Sequence, residues 1–349
     1  MSKELRIGDL VARIPVVQGG MGVGISLSGL AGAVAREGGI GIISTAQIGF
    51  KKAKYDQDPQ GCNLEAIGEE IAKAREIADG GIIGVNIMFA TTDYELYVEK
   101  AVEAGVDLIV TGAGLPLDLP KLVEGSKTKI APIVSSKKAA SVIVRQWLKK
   151  YNRLPDMIVI EGPLAGGHLG FDREELNTIT KEEYDIEVKN IIDYINEVSS
   201  EHSVEIPVVV GGGVFNRSDM EHYMELGASG VQIATRFIAT NECDADIKYK
   251  NVYVKAGNED VVIVKSPVGM PGRAIKNAFL ERVAGGERIM GRCRHCVKSC
   301  NPASTPYCIS QALINAANGN VEEGLLFSGA NVGRISEIVP VATIMREFE

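Results

Sequence analysis

No run of apolar residues in the 349-residue sequence approaches the roughly 20 needed to span a bilayer, and Met1-Ser2-Lys3-Glu4 does not open a signal peptide. A soluble, cytoplasmic protein is expected. Charge of the sign that nucleic acid requires is also short: 37 Lys and Arg stand against 45 Asp and Glu, a net charge of −8. Six cysteines are too few for a chain this long to need disulfide staples. The Gly-x-x-x-x-Gly-Lys-Ser/Thr loop of nucleoside triphosphatases is absent, and Gly20-x-Gly22-x-Gly24 lacks the Rossmann spacing. No Ser-His-Asp set can be argued, because Ser44 and Ser135 lack a strained elbow context. Low-complexity segments are missing too.

What is present is apolar residues at 45%, ample for a large core, and 39 glycines that cluster after apolar runs. The runs form a series: 14–17, 40–43, 82–87, 108–110, 130–134, 157–160, 208–210 and 231–234. Helical patterns lie between them, over 27–36, 64–78 with Asn63 as N-cap, 94–104, 138–150, 182–198 and 218–226. Helix-sized excursions imply parallel pairing, and eight repeats of strand then helix is the count of a TIM (β/α)8 barrel. The runner-up is a doubly wound open sheet. Residues 242–300 break the rhythm and read as a lid subdomain inserted after strand 8. The expected division is therefore an α/β barrel over 1–241, the insertion over 242–300, and C-terminal helices over 301–349, including 309–317 and 335–346, completing the barrel exterior.

Barrel chemistry lies at the carboxyl ends of the strands. The sixth run ends in Glu161-Gly162-Pro163-Leu164-Ala165-Gly166-Gly167-His168-Leu169-Gly170, a glycine-rich turn carrying a single histidine. An imidazole there, with an ordinary pKa near 6.5, can take a proton near neutral pH. The bland alternative is a turn whose histidine satisfies a carbonyl. After the seventh and eighth runs come Gly211-Gly212-Gly213 and Ala234-Thr235-Arg236, bare amides beside a hydroxyl and a guanidinium, where barrels commonly bind phosphate. FMN fits such a cradle, with Gln18–Met21 and Asn86 near its ring; a sugar phosphate would use the same cradle.

Gln18-Gly19-Gly20-Met21, Asn86-Ile87-Met88, Gly166-Gly167-His168, Gly211-Gly212-Gly213 and Ala234-Thr235-Arg236-Phe237, in this order over about residues 10–280, resemble the nitronate monooxygenases, formerly 2-nitropropane dioxygenases. They are almost equally similar to the flavin-type enoyl-acyl-carrier-protein reductases. The resemblance implies a flavoprotein with non-covalent FMN that oxidises alkyl nitronates with oxygen to a carbonyl compound and nitrite, or an NAD(P)H-dependent reductase of enoyl thioesters. It implies His168 as the catalytic residue, acting as a base or orienting substrate. It implies cofactor contacts from Gly20, Met21, Gly22, Asn86, Glu161, Gly167, Gly211, Gly212, Gly213, Ala234, Thr235 and Arg236. Arg273 and Asn277 resemble a segment near the substrate entrance. The partners expected are a small-molecule substrate, nitronate or enoyl thioester, with NAD(P)H in the reductase reading and a homodimer as one oligomeric option. Two departures stand out: Ala234 replaces the usual glycine, and Thr111-Gly112-Ala113-Gly114 looks closer to the reductase branch.

Cys293, Cys296, Cys300 and Cys308 are dense enough to consider zinc or an iron–sulfur cluster, but their spacing matches no standard pattern well. Reduced structural thiols, with no metal, are the plainer reading; Arg292, Arg294 and Lys298 nearby could also sensitise one thiol. His202, His222 and His295 read as surface or structural groups without partners.

Overall fold

Alternation along the apolar runs divides their side chains between two cores. Val17, Ile42, Val110, Val159 and Val209 point to one side, and their chain neighbours Val16, Ile43, Ile109, Ile160 and Val210 to the other. A strand buried on both faces belongs to a parallel sheet covered by helices. In the computed structural model, which describes residues 4–349, eight such strands close into a barrel. They are β1 (Val16–Gln18), β2 (Ile40–Ser44), β3 (Ile82–Met88), β4 (Leu108–Gly112), β5 (Lys129–Val134), β6 (Ile158–Glu161), β7 (Val208–Gly211) and β8 (Gly230–Ile233). Each pairs in parallel with the next, and β8 returns to β1 in the register Val231–Val16, Gln232–Val17, Ile233–Gln18. The fold is the TIM barrel expected.

The inner core is shut at its amino end by a hairpin, Leu5–Ile7 against Leu10–Ala12, whose Leu5, Ile7 and Ala12 pack onto it. Only the carboxyl end is left to open. Between β1 and β2 the ladder has a single pair, Val17–Ile40. Gln18 supplements it: its Oε1 accepts from the Ile42 N–H at 3.1 Å, and its Nε2 donates to the Gly19 carbonyl at 2.5 Å. Fully buried, Gln18 is a strand clamp and not a ring contact.

Two helix starts lie far from expectation, and the helix expected over 182–198 runs on to His202. The second helix runs Pro59–Ala78, starting well before residue 64, because Asp58 caps it and Pro59 occupies its first position, where a missing N–H costs nothing. Asn63 lies inside that helix, joining the Gly49 N–H to the Tyr97 hydroxyl. The last helix begins only at Val341, after Pro340, which cannot sit in a helix interior. His222 also has a partner after all, with Nε2 2.9 Å from an Asp185 carboxylate oxygen.

The chain after the eighth strand contributes an antiparallel pair, Val261–Lys265 with Pro271–Ile275. A third strand, Gly167–His168, joins them from the loop after β6, opposite Arg273 and Gly272. The roof of the barrel thus contains the sixth loop as well as residues 261–275.

Helix Ser28–Arg36 opens at Leu27 with no capping side chain of its own. Asp244 substitutes from 214 to 217 residues away: its carboxylate accepts from Leu27, Gly29 and Leu30 N–H at 2.8, 3.0 and 3.1 Å. Asp244→Ala strands those donors and is expected to cost roughly 1–3 kcal/mol, as buried unsatisfied groups do. Urea unfolding checks it; an unchanged midpoint would show that the helix start needs no cap.

Candidate active site

The inward register that fills the inner core continues upward and turns small or polar. Two residues beyond Val17, Ile42, Val110, Val159 and Val209 come Gly19, Ser44, Gly112, Glu161 and Gly211, with Asn86 and Gln232 at the equivalent height on β3 and β8. All border one cleft of about 270 Å³ at the carboxyl end. Its existence is a matter of side-chain volume: a Cβ at Gly22 would stand 2.7 Å from the Ser44 hydroxyl, and one at Gly112 3.0 Å from Ile133.

His168 and the twelve residues expected to contact the cofactor all border this cleft. Gly20, Met21, Gly22 and Asn86 lie above β1 and β3; Glu161, Gly167 and His168 follow β6; Gly211, Gly212, Gly213, Ala234, Thr235 and Arg236 follow β7 and β8. Asn86 lends its carbonyl to Thr45, leaving its carboxamide free of hydrogen bonds to other described residues.

At the β7–β8 end the chain exposes donors. Gly212 and Gly213 have φ of +98° and +86°, a region that glycine enters without penalty. Their N–H groups meet no acceptor among the described residues. Thr235 and Arg236 begin a four-residue helix, so their N–H groups lack intrahelical partners. Thr235 Oγ1 accepts from Gly329 N–H at 2.8 Å and keeps its own proton to give. The guanidinium of Arg236 is committed elsewhere: it pairs with Glu347 at 2.6 Å and donates to the Phe215 carbonyl at 2.6 Å. The free positive charge expected there is therefore spent on the C-terminal segment, and what faces an anion is a set of amide dipoles.

His168 hangs from the roof, its Nε2 2.7 Å from Ser266 Oγ and its ring edge-on to Phe327 at 4.9 Å. The Val268 N–H already points at Ser266 Oγ, at 3.2 Å, so the simplest proton arrangement sends the serine proton to Nε2 and leaves the ring proton on Nδ1. Burial lowers the His168 pKa to about 4, so the ring is neutral at pH 7, contrary to the expectation of titration near neutrality. Glu161 moves the other way. Burial raises its pKa to about 7, offset only by the Gly170 N–H at 3.2 Å. The group that titrates near neutrality is the carboxyl, not the imidazole.

Several site residues escaped the sequence. Ser266 and Phe327 come from segments with no motif, and Asn331 donates to the Gly213 carbonyl at 2.7 Å. Helix Ile309–Ala317 places Ile309, Ser310 and Leu313 in the cleft wall instead of serving only the exterior. Arg273 and Asn277 are not at an entrance. Arg273 is buried and donates to the Pro163 and Ala165 carbonyls at 2.6 Å each, while Asn277 caps helix Ala278–Ala284 and ties down Val321 and Gly324.

The profile of the family described as nitronate monooxygenase matches residues 4–348. A (3aS,4S,5R,7aS)-5-hydroxy-7a-methyl-1-oxo-octahydro-1H-indene-4-carboxyl-CoA dehydrogenase of Mycobacterium tuberculosis is 26% identical, over 79% of this chain and 67% of its own. A probable nitronate monooxygenase of Staphylococcus saprophyticus is 24% identical over 79% of each chain. Among solved structures, FabK from Thermotoga maritima superposes with a TM-score of 0.73 at 26% identity, over 99% of this chain and 95% of that one. A nitroalkane oxidase from Streptomyces ansochromogenes, at 18% identity, a TM-score of 0.72 and coverage of 96% and 94%, shares the fold.

The pKa pair sets a pH test. Between about 4 and 7 the His168 ring is already neutral while Glu161 loses its proton, so a kcat/KM profile is expected to bend near pH 7 through Glu161. Glu161→Gln should remove that bend. If the bend persists in the variant, Glu161 is not its source.

Proposed function

The chain belongs to the nitronate monooxygenase family and is an oxidoreductase of the flavin type, and we propose that it holds FMN non-covalently and oxidises alkyl nitronates with oxygen to a carbonyl compound and nitrite. The observation that carries this reading is the set of unengaged N–H donors at two adjacent strand ends, Gly212 and Gly213 after β7 and Thr235 and Arg236 after β8. A phosphate monoester suits amide dipoles converging at a barrel rim.

In this reading Gly211, Gly212, Gly213, Ala234, Thr235 and Arg236 hold the phosphate through backbone amides and the Thr235 hydroxyl. Gly20, Met21, Gly22, Asn86, Glu161 and Gly167 border the ring, and bound flavin supplies the electron transfer that the side chains cannot. A nitronate arrives already deprotonated, so no strong base is needed. Neutral His168 orients it through the N–H that Ser266 leaves on Nδ1. Glu161, with a pKa of about 7, stores or releases a proton at the cleft floor. The roof strand and Phe327 keep bulk water from the reacting atoms.

A second reading, NAD(P)H-dependent reduction of an enoyl thioester, is favoured by one feature. Val268, Val297, Ile309, Leu313 and Phe327 give the cleft an apolar arm that an acyl chain would fill. The similarity to a carboxyl-CoA dehydrogenase supports the same substrate class.

Protein loaded with FMN and kept free of oxygen decides between them. Bleaching of the flavin by a nitronate, with none by NADH or NADPH, is the expected outcome; rapid bleaching by a nicotinamide would transfer the assignment to the reductase. His168→Ala is expected to keep FMN bound and to lose at least about tenfold in kcat/KM, at the low end of what a positioned proton-bearing group contributes. Full activity in that variant would remove the imidazole from the reaction.

A further inference from the structure

Four of the six cysteines fall between residues 293 and 308. This stretch has no helix or strand of its own until 309 and is tied down by the isolated bridges Ile289–Tyr307 and Thr91–Val297. None of the four is in a disulfide. The loop folds back on itself: the Cys300 N–H donates to the Val297 carbonyl, next to Cys296, at 3.2 Å, and the Cys308 N–H donates to the Ile289 carbonyl at 3.0 Å. Cys296 is also part of the cleft wall, between Val297 and Ser310, whose hydroxyl lies 2.9 Å from its sulfur.

Structural packing does not account for this grouping. Cys293 is exposed, and Cys300 and Cys308 are only half-buried, whereas a packing cysteine is normally among the most buried residues, as Cys62 and Cys243 are here. A single reactive thiol does not account for it either. Burial pushes the Cys296 and Cys300 thiols up, away from the thiolate that reactivity needs.

We infer that Cys293, Cys296, Cys300 and Cys308 are the four ligands of a [4Fe–4S] cluster standing at the wall of the cleft. Cys-x-x-Cys-x-x-x-Cys on one loop with a fourth thiol from the flank of helix Ile309–Ala317 follows the general plan of cluster sites, a local group of cysteines completed by a more distant one. Geometry separates this from zinc. Zn–S bonds of about 2.3 Å in a tetrahedron bring sulfurs to roughly 3.8 Å of one another. Among the described residues no three Cys, His, Asp or Glu side chains are placed to hold one metal ion. A four-iron cube holds its thiolates at separate corners around one centre, wider apart than a single zinc ion does, so it suits a cysteine loop in which no three ligands are placed for one ion. Charge agrees: Arg292, Arg294 and Lys298 interleave with the ligands, opposite in sign to a thiolate-bound cluster, although Arg294 also pairs with Asp56 at 2.9 Å.

The test uses the full chain purified without oxygen, or reconstituted with ferrous iron and sulfide under a thiol reductant. About four iron and four acid-labile sulfide per chain are expected. Dithionite should then add one electron to the cluster, [4Fe–4S]2+ becoming [4Fe–4S]+, with a paramagnetic resonance signal distinct from that of flavin. Cys300→Ser and Cys308→Ser should each lower iron severalfold, and Cys62→Ala should leave it unchanged, with circular dichroism checking the fold. Iron well below one per chain after reconstitution, or zinc without sulfide, overturns the inference whatever the variants do. Iron and sulfide counts require neither flavin nor turnover, so this result stands apart from the fate of the nitronate reading.

Discussion

The two-residue strand Gly167–His168 is the joint on which the site depends. A loop leaving β6 would ordinarily wander, since nothing in a barrel fixes the space above its strand ends. Here the loop is pinned twice. Its backbone pairs with Gly272 and Arg273 of the strand Pro271–Ile275, and the Arg273 guanidinium reaches under it to the Pro163 and Ala165 carbonyls. Gly166 and Gly272 leave room for that approach: a Cβ at Gly166 would stand 2.6 Å from the Gly329 nitrogen, and one at Gly272 2.8 Å from Phe327. Loop, strand and C-terminal segment therefore hold one another, and His168 inherits its position from all three.

The same closure decides the electrostatics. Bringing the roof down desolvates Glu161 and His168 together, and desolvation disfavours whichever form is charged. The carboxyl is pushed up to about 7 and the imidazole down to about 4, reversing their usual order. With the Arg236 guanidinium held by Glu347, the cleft is lined by dipoles and neutral groups more than by ions. In the proposed reading such a site would bind the phosphate at its rim through directed N–H groups and offer the ring an interior with few charges.

Much of this was legible in the sequence, for a physical reason. A strand buried on both faces must be apolar throughout, and a barrel must repeat it eight times, so the rhythm of runs such as 82–87 and 208–210 was enough to give the fold. The rim residues were legible because a cleft requires small side chains at fixed strand ends, which Gly211-Gly212-Gly213 announces. What stayed hidden lies in contacts between segments far apart in the chain. Ser266 sits 98 residues from His168, and Glu347 lies 111 from Arg236; no local pattern predicts either pairing. The pKa inversion was equally invisible, since burial is a property of the closed roof and not of residue type. The early start of helix Pro59–Ala78 was missed because Asp58-Pro59 reads as a turn as readily as a cap.

Residues 242–349 do more than cover a barrel. The barrel by itself supplies the rim amides and the floor carboxyl, both fixed by the β-strands. The strand Pro271–Ile275 supplies the anchor for His168, Ser266 meets its Nε2, and helix Ile309–Ala317 with Val297 and Val268 forms the apolar arm. In the proposed reading the barrel sets the reaction type, while the later segments read substrate shape. Cys296 lies on that second surface, in the wall between Val297 and Ser310. Any group held by the cysteine loop would share a wall with the substrate arm, so changes at residues 293–308 act on the same space in which substrate is chosen.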